Sequence, residues 1–500
     1  MAKLFIIGLD CAEPSLVFER WREDLPNLVS LMKEGVYGRL RSTIPPITVP
    51  AWTSMLTGKD PGVLGFYGFR NRKPQSYDLF IPNMTHLREK PCWEILSERG
   101  LKVILLGIPQ TYPPKRVNGI MVSSFLTPDK SKDYTYPREI KDELDQIAEG
   151  DYIIDIRNFR TEDKKWLLGE IYKMTQRRFK VVKEFIRRKP WDFFMFVEMG
   201  IDRIHHGFWR YMDRDHRLYE PNNPFENAIF DYYVYVDKEI GELLEILPEE
   251  ASVMVVSDHG AKRMKGAIAI NDWLIERGYL VLKERPNGRM RLDPKMIDWE
   301  RTKVWAEGGY YSRIFINVKG REPQGIVPPE EYEAFREKLK EEIEAIPDDK
   351  GGRLSTKAFK PEEIYRSCNG FPPDLIVYFD DLNWRGAGTV GNASLHLFEN
   401  DTGPDDANHA QDGVFIFRPS KEFGNFPREK GKELKGLEIY DVAPTVLGYF
   451  GFGIPEDWQG KSILGEGGRA EAAWRQQEVK GYSEEEEEEI SKRLADLGYY

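Results

Sequence analysis

Two apolar runs in this chain each stop on groups able to ligate a divalent metal. Leu4-Phe5-Ile6-Ile7-Gly8-Leu9 stops on Asp10, and Val253-Met254-Val255-Val256-Ser257 stops on Asp258-His259-Gly260. Runs of this kind, unbroken by charge, predict strands buried on both faces, and an open α/β sheet keeps its chemistry at the ends of such strands. Further strands are expected at residues 101–107, 192–198, 313–318, 374–379 and 413–417. Amphipathic stretches at 20–35, 89–99, 165–188 and 329–346 predict helices between them. That alternation predicts an α/β protein with a mainly parallel central sheet and helices on both of its faces.

Residues 1–262 and 401–465 are expected to form the core, with 127–190 as a helical insertion and 263–400 as a capping insertion carrying extra strands. The acidic run Glu484 to Glu489 reads as the first turns of a docked helix within 466–500. Ser483 with Glu486 fits a capping box, and Ile490, Leu494 and Leu497 give one apolar stripe. Gly386-Ala387-Gly388-Thr389-Val390-Gly391 matches GxGxxG, yet it follows its strand too late and opens no helix, so a loop is expected rather than a nucleotide cradle.

Composition narrows the function more than the fold. A net charge of −11 excludes a protein that wraps nucleic acid and a polybasic membrane binder. Cys11, Cys92 and Cys368 stand far apart with no CxxC, so neither a disulfide framework nor a thiolate zinc site is indicated. No apolar stretch reaches the roughly 20 residues of a membrane span, and Met1-Ala2-Lys3 leads straight into the first strand, so a cytoplasmic protein with no membrane partner is expected.

Asp202-Arg203-Ile204-His205-His206 sets a carboxylate and an imidazole four residues apart, on one face of a helix, where one metal can take both. His205 is expected either to back the ligands from behind or to point away. His409 lies in the polar stretch Asp405-Asp406-Ala407-Asn408-His409-Ala410, just before the strand at 413–417. Thr48 lies in Pro45-Pro46-Ile47-Thr48-Val49-Pro50-Ala51-Trp52, where prolines hold it ahead of a helix. A hydroxyl among the free N–H groups of a helix N-terminus suits a nucleophile and the anion it attacks. By itself such a threonine reads as a helix cap, and a lone loop histidine as a surface residue.

Taken in order, these segments resemble the alkaline phosphatase superfamily, and within it the type I phosphodiesterase/nucleotide pyrophosphatase branch. The resemblance spans Gly8-Leu9-Asp10, the Thr48 segment through Leu56-Thr57-Gly58, Asp202 to Trp209, Ser257 to Gly260, His409, and Ile439 to Leu447. It implies an alkaline-phosphatase-like three-layer α/β/α sandwich with a capping insertion. It also implies two divalent metal ions, zinc or manganese. One would be held by Asp202, His206 and His409, the other by Asp10, Asp258 and His259 with the Thr48 hydroxyl. Thr48 would attack phosphorus in line and pass through a phosphothreonine, with the ions clamping the attacking and leaving oxygens. Sulfatases resemble this segment too, but they place a modified cysteine or serine at the position of Thr48.

The expected substrate is a small, nucleotide-like phosphate ester cleaved at a phosphodiester or pyrophosphate bond. Arg70, Asn71 and Lys262 are the substrate-binding candidates, with Arg203 and Arg263 as further cations. Two alternatives remain open: a cofactor-independent phosphomutase, phosphotransferase or phosphomonoesterase, and a catalytically silent metal-containing binding module. The intact set of seven residues speaks against the second. Oligomeric state has no signature in the sequence.

Overall fold

The computed structural model describes residues 2–497 except 424–425, 427–428, 466–468 and 471–480. The main sheet uses β1 (Lys3–Leu9), β2 (Val36–Arg41), β3 (Val103–Ile108), β4 (Gly119–Ser123), β5 (Thr135–Tyr136), β6 (Phe193–Glu198), β7 (Ala251–Val256) and β8 (Asp412–Arg418). Their order is β2-β8-β7-β1-β6-β3-β4-β5, with short strands Lys432–Glu433 and Leu437–Glu438 along β2. β7, β1, β6, β3 and β4 run parallel, while β8 is antiparallel to both β7 and β2. All six residues of β3, β6 and β7 are buried, as their uninterrupted apolar sequences require of a sheet covered on both faces.

The covering helices form two groups. α1 (Pro26–Glu34), α4 (Lys164–Arg188), α5 (Gly200–Met212) and α6 (Ala228–Ile246) pack together. α2 (Thr48–Thr57), α3 (Cys92–Glu98) and α8 (Val442–Tyr449) form the other group, α7 (Tyr332–Glu344) lying apart from both. The expected helix at 20–35 is broken. Pro26 has no N–H to give and fits the first turn, so α1 starts there, preceded by a π-helical segment, Ser15–Arg20, and a short 3-10 turn, Arg22–Asp24. β2 and β4 escaped the sequence reading. β2 exposes Arg39 and Arg41, and β4 is only five residues long.

Residues 268–384 supply a second hydrophobic core. An antiparallel sheet in the order Val304–Glu307, Ser312–Ile316, Leu375–Tyr378, Lys357–Phe359 packs its side chains with Leu339 and Ile343 of α7. Within the glycine-rich stretch, Trp384–Gly386 and Thr389–Val390 are short strands, and no helix follows them. The helix α9 (Glu484–Asp496) carries the expected capping box: the Glu486 amide donates to Ser483 Oγ at 3.3 Å, and the Ser483 amide to Glu486 Oε2 at 2.8 Å. Ile490, Leu494 and Leu497 are buried in the main core. Most of 466–480 lies outside the described residues. Among the described residues no helix is long and apolar enough to cross a membrane.

Candidate metal centre and active site

Strand register brings the distant segments together. Gly8 of β1 pairs with Val256 of β7, and Leu9 with Glu198 of β6. Asp10, Asp258 and the first turn of α5 carrying Asp202 therefore leave the sheet side by side at the carboxyl ends of three parallel strands. His409 arrives from the other direction. Ala407–Ala410 pairs antiparallel with Gly260–Arg263, setting His409 opposite Ala261 before the chain enters β8. Gly8 has a packing reason to lack a side chain: a Cβ there would stand 2.7 Å from the ring of Trp52, whose indole N–H donates to Asp10 Oδ2 at 2.7 Å.

The seven residues singled out for metal binding and nucleophilic attack are all buried in one place. Asp202 Oδ1 lies 3.3 Å from His206 Nε2, which lies 3.3 Å from His409 Nε2, and His409 Nε2 lies 3.9 Å from Asp202 Oδ1. Alongside, Asp10, Asp258 and His259 bring one ligating atom each within 4.8 Å of one another. His259 Nε2 is 3.2 Å from Asp258 Oδ2 and 3.4 Å from Thr48 Oγ1. Thr48 is the first residue of α2 rather than ahead of it: Ile47 before it is extended, and Val49-Pro50 already lie in the first turn, where the missing proline N–H is not needed.

The three imidazoles share one orientation. Each Nδ1 faces an oxygen that can only accept: Asp405 Oδ1 at 2.8 Å for His206, Pro46 O at 2.7 Å for His409, and Gly260 O at 3.1 Å for His259. In the neutral ring, with the proton at Nδ1, each Nε2 presents its lone pair to the cluster, the arrangement a metal-ligating histidine needs. Two Nε2 lone pairs 3.3 Å apart repel unless a proton or a cation lies between them. Asp10 Oδ1, Asp202 Oδ1 and Asp258 Oδ2 accept no hydrogen bond, although all are buried. Unpaired buried carboxylate oxygens are costly, and a divalent ion would satisfy them. The donor set therefore fits divalent cations.

Electrostatics divide the site. Burial, then Asp202, push the Asp10 carboxyl well above the usual carboxylate range; burial and Asp10 do the same to Asp258. Burial would raise Asp202 as well, but His206 and Arg203 outweigh it and hold Asp202 low. Burial also disfavours an imidazolium at His206, yet Asp405 and Asp202 lift it to about 9. Burial lowers His259 to about 4.

Several groups at the site were not anticipated. Asp405 accepts from Tyr310 Oη at 2.8 Å and from Arg160 Nη2 at 2.6 Å, while Arg160 Nη2 also donates to Leu497 O at 2.7 Å, just past α9. Arg203, named from the sequence as a further cation for substrate, instead forms a two-pronged pair with Asp155, at 3.0 and 2.8 Å, and reaches Asp202. Asp405 could have been suspected as an acid four residues before His409. Arg160 has no local signature. His205 turns away, its Nε2 3.2 Å from Tyr233 Oη.

The substrate-binding candidates are engaged elsewhere. Arg70 Nη2 donates to Ser491 Oγ at 2.8 Å on α9, and Lys262 Nζ pairs with Asp381 Oδ2 at 3.1 Å. Arg263 pairs with Asp213 at 3.4 Å. Asn71 Oδ1 accepts from the Tyr67 amide at 2.8 Å, and its buried Nδ2 has no hydrogen-bond partner among the described residues.

Strand-end carboxylates and imidazoles on an alkaline-phosphatase-like α/β sheet define the class as a phosphoester-cleaving hydrolase. A model of the type I phosphodiesterase / nucleotide pyrophosphatase family matches residues 4–405, and the chain belongs to that family, within the alkaline phosphatase superfamily. Solved structures agree on the fold. Phosphonoacetate hydrolase from Sinorhizobium meliloti 1021, in complex with phosphonoformate, is similar at TM-score 0.56 and 16% identity, covering 90% of this chain and 95% of its own. Human ectonucleotide pyrophosphatase / phosphodiesterase 5 gives TM-score 0.53 at 12% identity, covering 92% and 97%. An inactive form of the murine protein, in complex with AMP, gives 0.52 at 14% identity, covering 90% and 96%. No protein of curated function matches by sequence.

Proposed function

We propose that this chain is a two-metal phosphodiesterase or pyrophosphatase acting on small nucleotide-like esters, with Thr48 as the nucleophile. The observation that carries the reading is the convergence of three Nε2 atoms and three orphaned carboxylate oxygens on one buried space beside the Thr48 hydroxyl. One ion would be held by Asp202, His206 and His409, the other by Asp10, Asp258 and His259 with Thr48; zinc suits the mixed nitrogen and oxygen donors best, manganese next. When bound, such ions neutralise charge on the phosphoryl oxygens and lower the pKa of a hydroxyl they touch. Thr48 Oγ1, its proton lost to solvent, would bond to phosphorus as the ester oxygen opposite it departs and takes a proton from water, leaving a phosphothreonine that water cleaves. His206 is kept in orientation by Asp405, and His259 by Gly260 O. The nucleotide preference draws on the family and on AMP in the murine relative. The segment 263–400 is assigned as a cap over the core formed by 1–262 and 401–465, and Asn71, whose buried amide nitrogen has no hydrogen-bond partner among the described residues, is kept as a candidate for substrate binding.

The test is paired hydrolysis of bis-p-nitrophenyl phosphate and p-nitrophenyl phosphate by metal-stripped protein resupplied with zinc or manganese. The diester should turn over only with metal, and Thr48→Ala should lower that turnover by roughly 10³-fold or more. Faster cleavage of the monoester would favour a phosphatase or mutase. Full activity in Thr48→Ala would remove the nucleophile assignment.

A further inference from the structure

Cys11 directly follows the first strand-end ligand, and its thiol is buried in the same space as the cluster. Its Sγ, a carboxylate oxygen of Asp202 and a ring nitrogen of His206 all lie within 4.8 Å of one another. Among the described residues its sulfur makes one weak hydrogen bond, to Gly260 O at 3.4 Å, while its amide donates to Asp258 Oδ1 at 3.2 Å. A buried free cysteine is ordinarily a small apolar filler. One observation argues otherwise: Asp202 Oδ1, one arm of the same triangle, is fully buried and accepts no hydrogen bond. The backbone at Cys11 is left-handed, φ 65°.

We propose that Cys11 is a further protein ligand of the cation held by Asp202 and His206, resting on the two-metal reading above. On binding, the Sγ–H proton leaves to solvent, the contact with Gly260 O is given up, and a sulfur–metal bond forms. A soft thiolate added to imidazole and carboxylate donors tilts that position toward zinc, cobalt(II) or cadmium and away from manganese or magnesium. A single cysteine with no CxxC leaves no trace of this in the sequence.

Cobalt(II) reports the bond directly. The full-length protein is stripped and titrated with cobalt(II) as wild type, Cys11→Ser, Cys11→Gly and the double variant Cys92→Ala/Cys368→Ala. Cys11→Gly relieves the left-handed backbone, so loss of the fold cannot imitate loss of the ligand. Wild type and the double variant should show a near-ultraviolet sulfur-to-cobalt charge-transfer band, and both Cys11 variants should lose it while keeping visible cobalt absorption. Zinc affinity at that position should fall about 10–100-fold in the Cys11 variants, the scale of disturbing a metal shell, with manganese affinity unchanged. Visible cobalt bands in wild type without the near-ultraviolet band, or a band that survives in Cys11→Gly, would overturn the proposal and leave the two-metal reading intact. No cobalt uptake by wild type would overturn both.

Discussion

Around His206 the protein backs each ligand with a partner, whereas around Asp258 two carboxylates share a buried space with little to balance them. On the first side, Asp405 orients His206, Pro46 O orients His409, and Arg203 and His206 keep Asp202 ionised. On the second, Asp10 has one hydrogen bond, from Trp52, and Asp258 one from a neighbouring side chain or amide, that of Cys11; each keeps an oxygen with no partner. The first cluster has protein cations, Arg203 and His206, beside its carboxylate, although Asp202 Oδ1 too accepts no hydrogen bond. The second holds surplus negative charge, so it must take up protons or a cation. Preorganisation and unmet charge are two routes to a metal site, and the two clusters proposed to hold ions differ in which of them they offer.

The largest effect should come from the second side. On the two-metal reading, Asp258→Asn removes a ligand that nothing else replaces, and diester turnover should drop by roughly 10³-fold, as when one member of a catalytic unit is lost. Its stability effect should change sign with metal. Asp10 and Asp258 have folded-state pKa values above the ordinary 3.8, so without metal the folded protein binds more protons than the unfolded chain, and stability falls as pH rises above about 4. Urea unfolding of stripped protein at neutral pH should therefore show Asp258→Asn to be more stable than wild type, and metal-loaded protein should show the reverse. If both forms are destabilised equally, the two sides do not differ in the way described.

A smaller loss is expected from the first side. Asp405→Asn weakens the orientation of His206 without removing a ligand, and zinc competition against a chelator should show about a 10–100-fold weaker first ion with the second unchanged. Equal weakening of both ions would erase the distinction. Smaller still, Trp52→Phe deletes one hydrogen bond to Asp10 and should lower metal-loaded stability by roughly 1–2 kcal/mol, measured by thermal unfolding.

What was legible in the sequence is what local pattern determines. Asp10 and Asp258 were visible because a buried strand must end somewhere, and Asp202 with His206 because a helix repeats nearly every four residues. The capping box of α9 was legible for the same reason. The partners that orient the ligands were not. Asp405 and His206 are 199 positions apart, and Arg160 meets Leu497 across 337. No periodicity encodes such contacts. Arg70 and Lys262 looked available as substrate cations because charge is visible in a sequence and an existing partner, Ser491 or Asp381, is not.

The most direct test is the number of zinc ions bound per chain, counted by elemental analysis after stripping and reloading, in wild type, Asp258→Asn and Asp405→Asn. Two clusters that differ as described predict two ions in wild type, one in Asp258→Asn, and two in Asp405→Asn with one of them readily lost to a chelator. A wild-type protein that never holds more than one ion would contradict the account.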